Sequence, residues 1–181
     1  MSDYKTIEDI DLKGKKVLVR LDLNVPIKEG KIKDSTRIDA SLKTIKYVMK
    51  HKGKAILMSH LGRPGGLKDR SLSLNLVAEA LSNKLNTKVI MAPDCKGKEV
   101  EEIVDNIKEG DVVLLENLRF HMGEEENGKE FVNSLAKLAD VYINDAFGTA
   151  HRDHASTYGV PLKLKEQNKE VGAGFLMDKE L

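Results

Sequence analysis

The chain has 181 residues, 40% of them apolar and 33% charged, with a formal net charge of +1. That length supports one domain with a substantial core and is short for two. The near-balanced charge excludes a global attraction to nucleic acid or to an acidic surface, so any anion site has to be local.

Read in chain order, the opening MSDYKTIEDIDLKGKK lacks the apolar centre of a signal peptide, and no later run approaches the roughly 18 apolar residues of a membrane span. A soluble cytoplasmic protein is expected. KKVLVRLDL then forms a first strand, stopped by Pro26. In DSTRIDASLKTIKYVMKHKG, Ile38, Leu42, Ile45 and Met49 recur at helical spacing, with Asp34 or Ser35 as N-cap candidates and Gly53 as a stop. KAILMSH is the second strand. SLSLNLVAEALSNKLN is a helix with Leu74, Val77, Ala78 and Leu81 on one stripe, and KVIMAP the third strand. KEVEEIVDNIKEG is a helix with Val100, Ile103, Val104 and Ile107, followed by DVVLLEN as the fourth strand. The acidic run GEEENGKE reads as a solvated loop leading into the helix GKEFVNSLAKLAD, with Phe131, Leu135 and Leu138 inward. VYINDAF is the fifth strand. The single cysteine, Cys95, cannot bridge internally, and no Cys/His spacing resembles a zinc site, so no metal is expected.

Alternation of this kind predicts an α/β fold, a three-layer α/β/α Rossmann-like domain whose parallel sheet has about five or six strands. Ligands of such sheets bind beyond the carboxyl ends of the strands. The first strand ends in RLDLNVP with Asp22 and Asn24, and the second in SHLGRPGG with His60 and Arg63. The fourth ends in ENLRFH with Arg119, and the fifth in NDAFGTAHRDH with His151, Arg152 and His154. Arg37 sits in the first turn of the first helix, where the dipole disfavours a cation by up to roughly 1 kcal/mol, so an anion facing that helix start would account for it. Taken singly, each has an ordinary reading as a turn or surface residue. Together they describe a pocket for a small, strongly anionic molecule with hydroxyl groups. No GxxxxGK[ST] run and no strand-linked GxGxxG is present.

The segments VLVRLDLNVP, DSTRIDASLKTI, SHLGRP, LLENLRFH and INDAFGTAHR, in this order, closely resemble the N-terminal half of the phosphoglycerate kinase family, from about Leu12 onward. Members of that family pass a phosphoryl group reversibly between 1,3-bisphosphoglycerate and ADP, giving 3-phosphoglycerate and ATP, with two lobes hinged across a cleft. The resemblance implies that Asp22, Leu23, Asn24, Arg37, His60, Leu61, Gly62, Arg63, Arg119 and Arg152 contact the phosphoglycerate. It implies that Arg37 also steadies the phosphoryl group in transfer, as the catalytic residue, with His151 and His154 standing behind the patch. No cofactor is expected on this chain; Mg-ADP or Mg-ATP would be held by the C-terminal domain. The implied partners are 3-phosphoglycerate or 1,3-bisphosphoglycerate and that C-terminal domain, with neither nucleic acid nor membrane, in a monomer.

Two positions depart from the family pattern: Leu23 stands where Phe is usual, and Asp153 follows Arg152 where a small residue is expected. Whole enzymes of the family are roughly twice as long. Residues 1–170 are therefore expected to form the phosphoglycerate-binding domain and 171–181 to begin the hinge, giving a lobe that binds substrate but is catalytically incompetent alone. The alternative is a free-standing binding or sensor module for small phosphorylated acids on the same fold.

Overall fold

The computed structural model of the chain describes residues 5–146 and 153–180. Nine strands and seven α-helices alternate through them: β1 (Lys5–Thr6), β2 (Lys16–Arg20), β3 (Ile27–Lys28), β4 (Lys31–Ile32), α1 (Thr36–Lys50), β5 (Lys54–Met58), α2 (Asn75–Leu85), β6 (Val89–Met91), α3 (Lys98–Asn106), β7 (Val112–Leu114), α4 (Met122–Glu126), α5 (Lys129–Ala136), β8 (Val141–Asn144), α6 (Val160–Glu166), β9 (Glu170–Ala173) and α7 (Phe175–Glu180). Seven strands make one all-parallel sheet in the order β1-β9-β8-β2-β5-β7-β6, and β3 pairs with β4 in a separate hairpin. The five apolar runs all appear as sheet strands. The two further ones, β1 and β9, are a two-residue segment and the sequence EVGA, neither of which carries an apolar run to read.

The period-2 alternation of the strands sorts their side chains into two cores. Val17, Val19, Ala55, Leu57, Val112, Leu114, Val141 and Ile143 meet Ile38, Ile45 and Val48 of α1 and Val77 and Leu81 of α2 on one face. On the other, Leu18, Ile56, Met58, Val113 and Tyr142 meet Val100 and Val104 of α3, Phe131 and Leu135 of α5, and Val160 and Leu164 of α6. No helix among the described residues is long and apolar enough to cross a membrane.

Two local expectations are corrected. The inward stripe of α1 is Ile38, Ser41, Thr44, Ile45 and Val48, while Leu42 and Met49 sit half-buried at its margin. Ser41 and Thr44 tolerate burial because their hydroxyls donate to the Ile38 carbonyl at 2.7 Å and to Asp145 Oδ2 at 2.6 Å. The acidic run is no solvated loop: its residues Gly123–Glu126 lie in α4, Lys129 and Glu130 open α5, and Glu124 is fully buried. Toward the end of the chain, β9 lies between β1 and β8 in the sheet. The apolar Phe175 that follows packs edge-on against Tyr47 of α1, ring centroids 5.2 Å apart, with the Lys43 ammonium 4.5 Å above its ring. Asp145, at the exit of β8, accepts the Met177 backbone N–H at 3.0 Å and so anchors α7. Burial raises the Asp145 pKa above the usual carboxylate range.

Candidate functional site

Parallel registry brings the ends of β8, β2, β5 and β7 to one edge. Arg20 of β2 stands opposite Met58 of β5 and Asn144 of β8, and Leu57 of β5 opposite Leu114 of β7. The loops leaving these strands are tied to one another by side chains. Ser59 Oγ accepts the Leu23 N–H at 2.9 Å and donates to the His60 carbonyl at 2.9 Å. Asn24 Oδ1 accepts the Gly62 N–H at 2.9 Å. Fully buried Asn117 accepts from Leu61 N and Arg119 N at 3.1 and 3.0 Å and donates to the carbonyls of Leu61 and Leu72 at 2.8 and 2.9 Å. All four of its hydrogen-bonding positions are used, so the β5 and β7 exits behave as one unit.

On this frame Arg119 is buried, with Nη1 3.3 Å from the Gly62 carbonyl. His60 is 4% exposed. Its pKa falls to about 2, because burial disfavours the imidazolium and Arg20, Arg119, His154 and Arg37 add positive charge around it. Hydrogen bonds tie the same residues together: Arg37 to the Asn24 carbonyl, Asn24 to the Gly62 N–H, and Arg119 to the Gly62 carbonyl beside His60. The Arg20 guanidinium can only donate, and its Nη2 lies 3.0 Å from His60 Nδ1, so Nδ1 is the accepting nitrogen and the imidazole proton sits on Nε2. A neutral His60 offers that Nε2–H as a donor.

Arg37 is half-exposed at the start of α1. Its Nη1 donates to the Asn24 carbonyl and lies 3.5 Å from Asp22 Oδ1. The anion invoked from sequence to explain a cation at a helix start is thus partly supplied by the chain's own Asp22, while half of the Arg37 side chain stays open to solvent. Leu23 and Leu61 turn their side chains into the core and contribute backbone to the loops. Gly62 has φ +63°, which suits glycine, and a Cβ there would come within 2.8 Å of Leu72 Cδ2. Arg63 is exposed and makes no hydrogen bond or ion pair among the described residues. His154 is half-buried near His60. His151 and Arg152, and with the latter the effect of Asp153 on it, lie outside the described residues.

Two open recesses flank the loop that follows β2. One of about 530 Å³ is lined by Asn24, Leu61, Gly62, Arg70 and Ser71. The other, about 520 Å³, is lined by Asn24, Pro26, Asp34, Thr36 and Arg37.

Sequence reasoning missed the support beneath this edge. Arg20, at the strand parity of Leu18, points into the α5/α6 core and is fully buried. Its Nε donates to Ser156 Oγ at 2.8 Å, Nη1 to the Leu21 carbonyl, and Nη2 lies 3.9 Å from Glu124 Oε2. Glu124 in turn accepts from Ser156 N at 2.9 Å and Ser156 Oγ at 2.6 Å, while Tyr142 donates to the Ser156 carbonyl at 2.7 Å. Burial disfavours the charge on Arg20 and Glu124 opposes that effect. An arginine at an inward position of an apolar run was the visible signal; its partner in the acidic run carried none.

The fold and this edge define a parallel α/β domain whose cationic and hydrogen-bonding side chains gather at the carboxyl ends of four adjacent strands. The model of the family described as phosphoglycerate kinase matches residues 7–181, and the chain belongs to that family. It is 55% identical over its whole length to a phosphoglycerate kinase of a Hydrogenobaculum species, and 54% identical over 98% of its length to that of Aquifex aeolicus. These alignments take in 45% and 44% of the two relatives, so the chain spans about half their length. Among solved structures, phosphoglycerate kinase from Coxiella burnetii superimposes with a TM-score of 0.85 at 37% identity, covering 98% of this chain and 43% of that one. That from Pyrococcus horikoshii gives 0.85 at 34% identity over 97% of this chain and 44% of the other. Membership of a kinase family favours the N-terminal-domain reading over a free-standing sensor.

Proposed function

We propose that this chain binds 3-phosphoglycerate or 1,3-bisphosphoglycerate at the carboxyl edge of its sheet, as the substrate-holding half of a phosphoglycerate kinase. The observation that carries the proposal is the convergence of Arg37, His60 and Arg119 on one edge, beside Asp22 and Asn24. Arg119, exposed Arg63 and the neutral Nε2–H of His60 would hold the non-transferring phosphate, to which Arg152 is also assigned. Asp22 and Asn24 would take the glycerate hydroxyl and carboxylate region. Phosphoryl transfer asks for positioning and charge neutralisation more than covalent chemistry, and the half-open Arg37 would steady the phosphoryl oxygens. The magnesium nucleotide would be held by a C-terminal domain, and turnover would require the two to close on each other, because the reacting atoms must be brought into attack range away from water. The chain alone is then expected to bind without catalysing.

Titration of isotopically labelled protein with 3-phosphoglycerate, and separately with MgATP, tests this. Amide shifts clustered near Asp22, Arg37, Gly62 and Arg119 with the glycerate, weakening as salt rises, are expected. Saturable MgATP binding without any response to the glycerate would overturn it.

A further inference from the structure

Asp94, Cys95 and His121 bring a carboxylate, a thiol and an imidazole together at the β6 side of the strand ends, with donor atoms all within 4.8 Å of one another. Asp94 and Cys95 lie in the loop leaving β6, and His121 follows the turn after β7, the neighbouring strand of the sheet. Asp94 Oδ1 lies 2.7 Å from His121 Nε2 and accepts the Cys95 backbone N–H at 2.7 Å. Cys95 is buried, whereas the side chains of Asp94 and His121 keep 41% and 27% of their exposure. The sulfur forms the floor of the cluster, and the oxygen and nitrogen open it to solvent.

We propose that Asp94, Cys95 and His121 form a binding site for a borderline-soft divalent cation of the zinc and cobalt class. One sulfur, one nitrogen and one oxygen donor suit such ions, while magnesium and calcium prefer oxygen alone. Bond lengths of about 2.0–2.3 Å to a tetrahedral ion set donor separations of about 3.3–3.6 Å. The Asp94–His121 pair, now at 2.7 Å, then opens by about 0.6 Å or more, and the sulfur, within 4.8 Å of both partners, reaches the same range by side-chain rotation. Water takes the fourth position. The balance is simple: the Cys95 thiol gives up one proton to solvent, the imidazole coordinates through Nε2 with its N–H on Nδ1, and Asp94 coordinates as the carboxylate. A divalent ion with one thiolate and one carboxylate makes a net-neutral centre, suited to a half-buried place. It would pin the β6 loop to the turn that carries Arg119.

The test is a cobalt titration of the purified protein after chelator treatment, which needs no phosphoglycerate and is independent of the kinase reading. One equivalent of Co²⁺ should bind with a sulfur-to-cobalt charge-transfer band and tetrahedral visible absorption, be displaced by Zn²⁺, and be unaffected by Mg²⁺. Cys95→Ala should remove the charge-transfer band. Because a buried cysteine also packs, Asp94→Asn and His121→Gln serve beside it, each weakening binding by more than the about 10–100-fold typical of losing an outer partner. Absence of binding, binding without a sulfur band, or binding indifferent to Asp94→Asn and His121→Gln would overturn the proposal.

Discussion

Arg20 and His60 form a buried pair in which the arginine sets the tautomer of the histidine, Nη2 to Nδ1 at 3.0 Å. With its pKa at about 2, His60 stays neutral through the physiological range, whereas an unfolded chain would protonate it near 6.5. The folded state therefore holds fewer protons than the unfolded state below that value. The stability His60 contributes is present above pH 6.5 and is lost progressively as pH falls toward 2. The slope reaches about 1.4 kcal/mol per pH unit for one proton. Urea unfolding across pH 4–8 should show a steeper acid loss for the native protein than for His60→Gln, and ring-nitrogen NMR should report an unprotonated Nδ1. An identical acid limb in the two proteins would contradict the assignment.

Glu124 is the counter-charge of Arg20, so Glu124→Ala leaves a buried guanidinium without its anion and strips two bonds from Ser156. A loss of about 3–5 kcal/mol is expected in denaturant unfolding. Arg20→Met combined with Glu124→Leu should lose far less than the sum of the single changes, because the pair disappears together. Additive losses would show that the two charges do not depend on each other.

Phosphoglycerate binding should divide the arginines by role. Removing Arg63 or Arg119 should each cost on the order of 1.5–3 kcal/mol of binding in calorimetry, as charge-assisted bonds do. Arg37→Ala should cost less, since its main task is assigned to the phosphoryl group in transfer and in the free protein it leans on Asp22 and Asn24. The reverse order would reassign the phosphate to the α1 side of the edge.

Gly62→Ala should disturb the edge in two ways. A non-glycine residue at φ +63° costs about 1–2 kcal/mol, and the added methyl comes within 2.8 Å of Leu72 Cδ2. Adding Leu72→Ala relieves the contact and not the backbone, so the double variant should recover only part of the phosphoglycerate affinity. Full recovery would show that the positive φ costs nothing here.

Much of this protein is legible in its amino-acid sequence alone. The β-branched runs, the helical stripes and the polar residues at each run's end follow from periodicities of 2 and 3.6, which are properties of one element at a time. The motifs around Asp22, His60 and Arg119 carry the family with them. Periodicity reports which way a side chain faces and says nothing of what it will meet. The burial of Glu124 inside GEEEN, the four bonds of Asn117, the Asp145 anchor on α7 and the approach of Cys95 to His121 all depend on which strands lie side by side. That order, β8-β2-β5-β7-β6, is set by packing of the whole sheet between its helices. Even the odd position of Arg37 signals, by its place in the chain, a cation that wants an anion. Only the tertiary structure decided that the first carboxylate it meets is Asp22 of the same chain, because the loop after β2 and the start of α1 are brought together by the fold and not by their spacing in sequence.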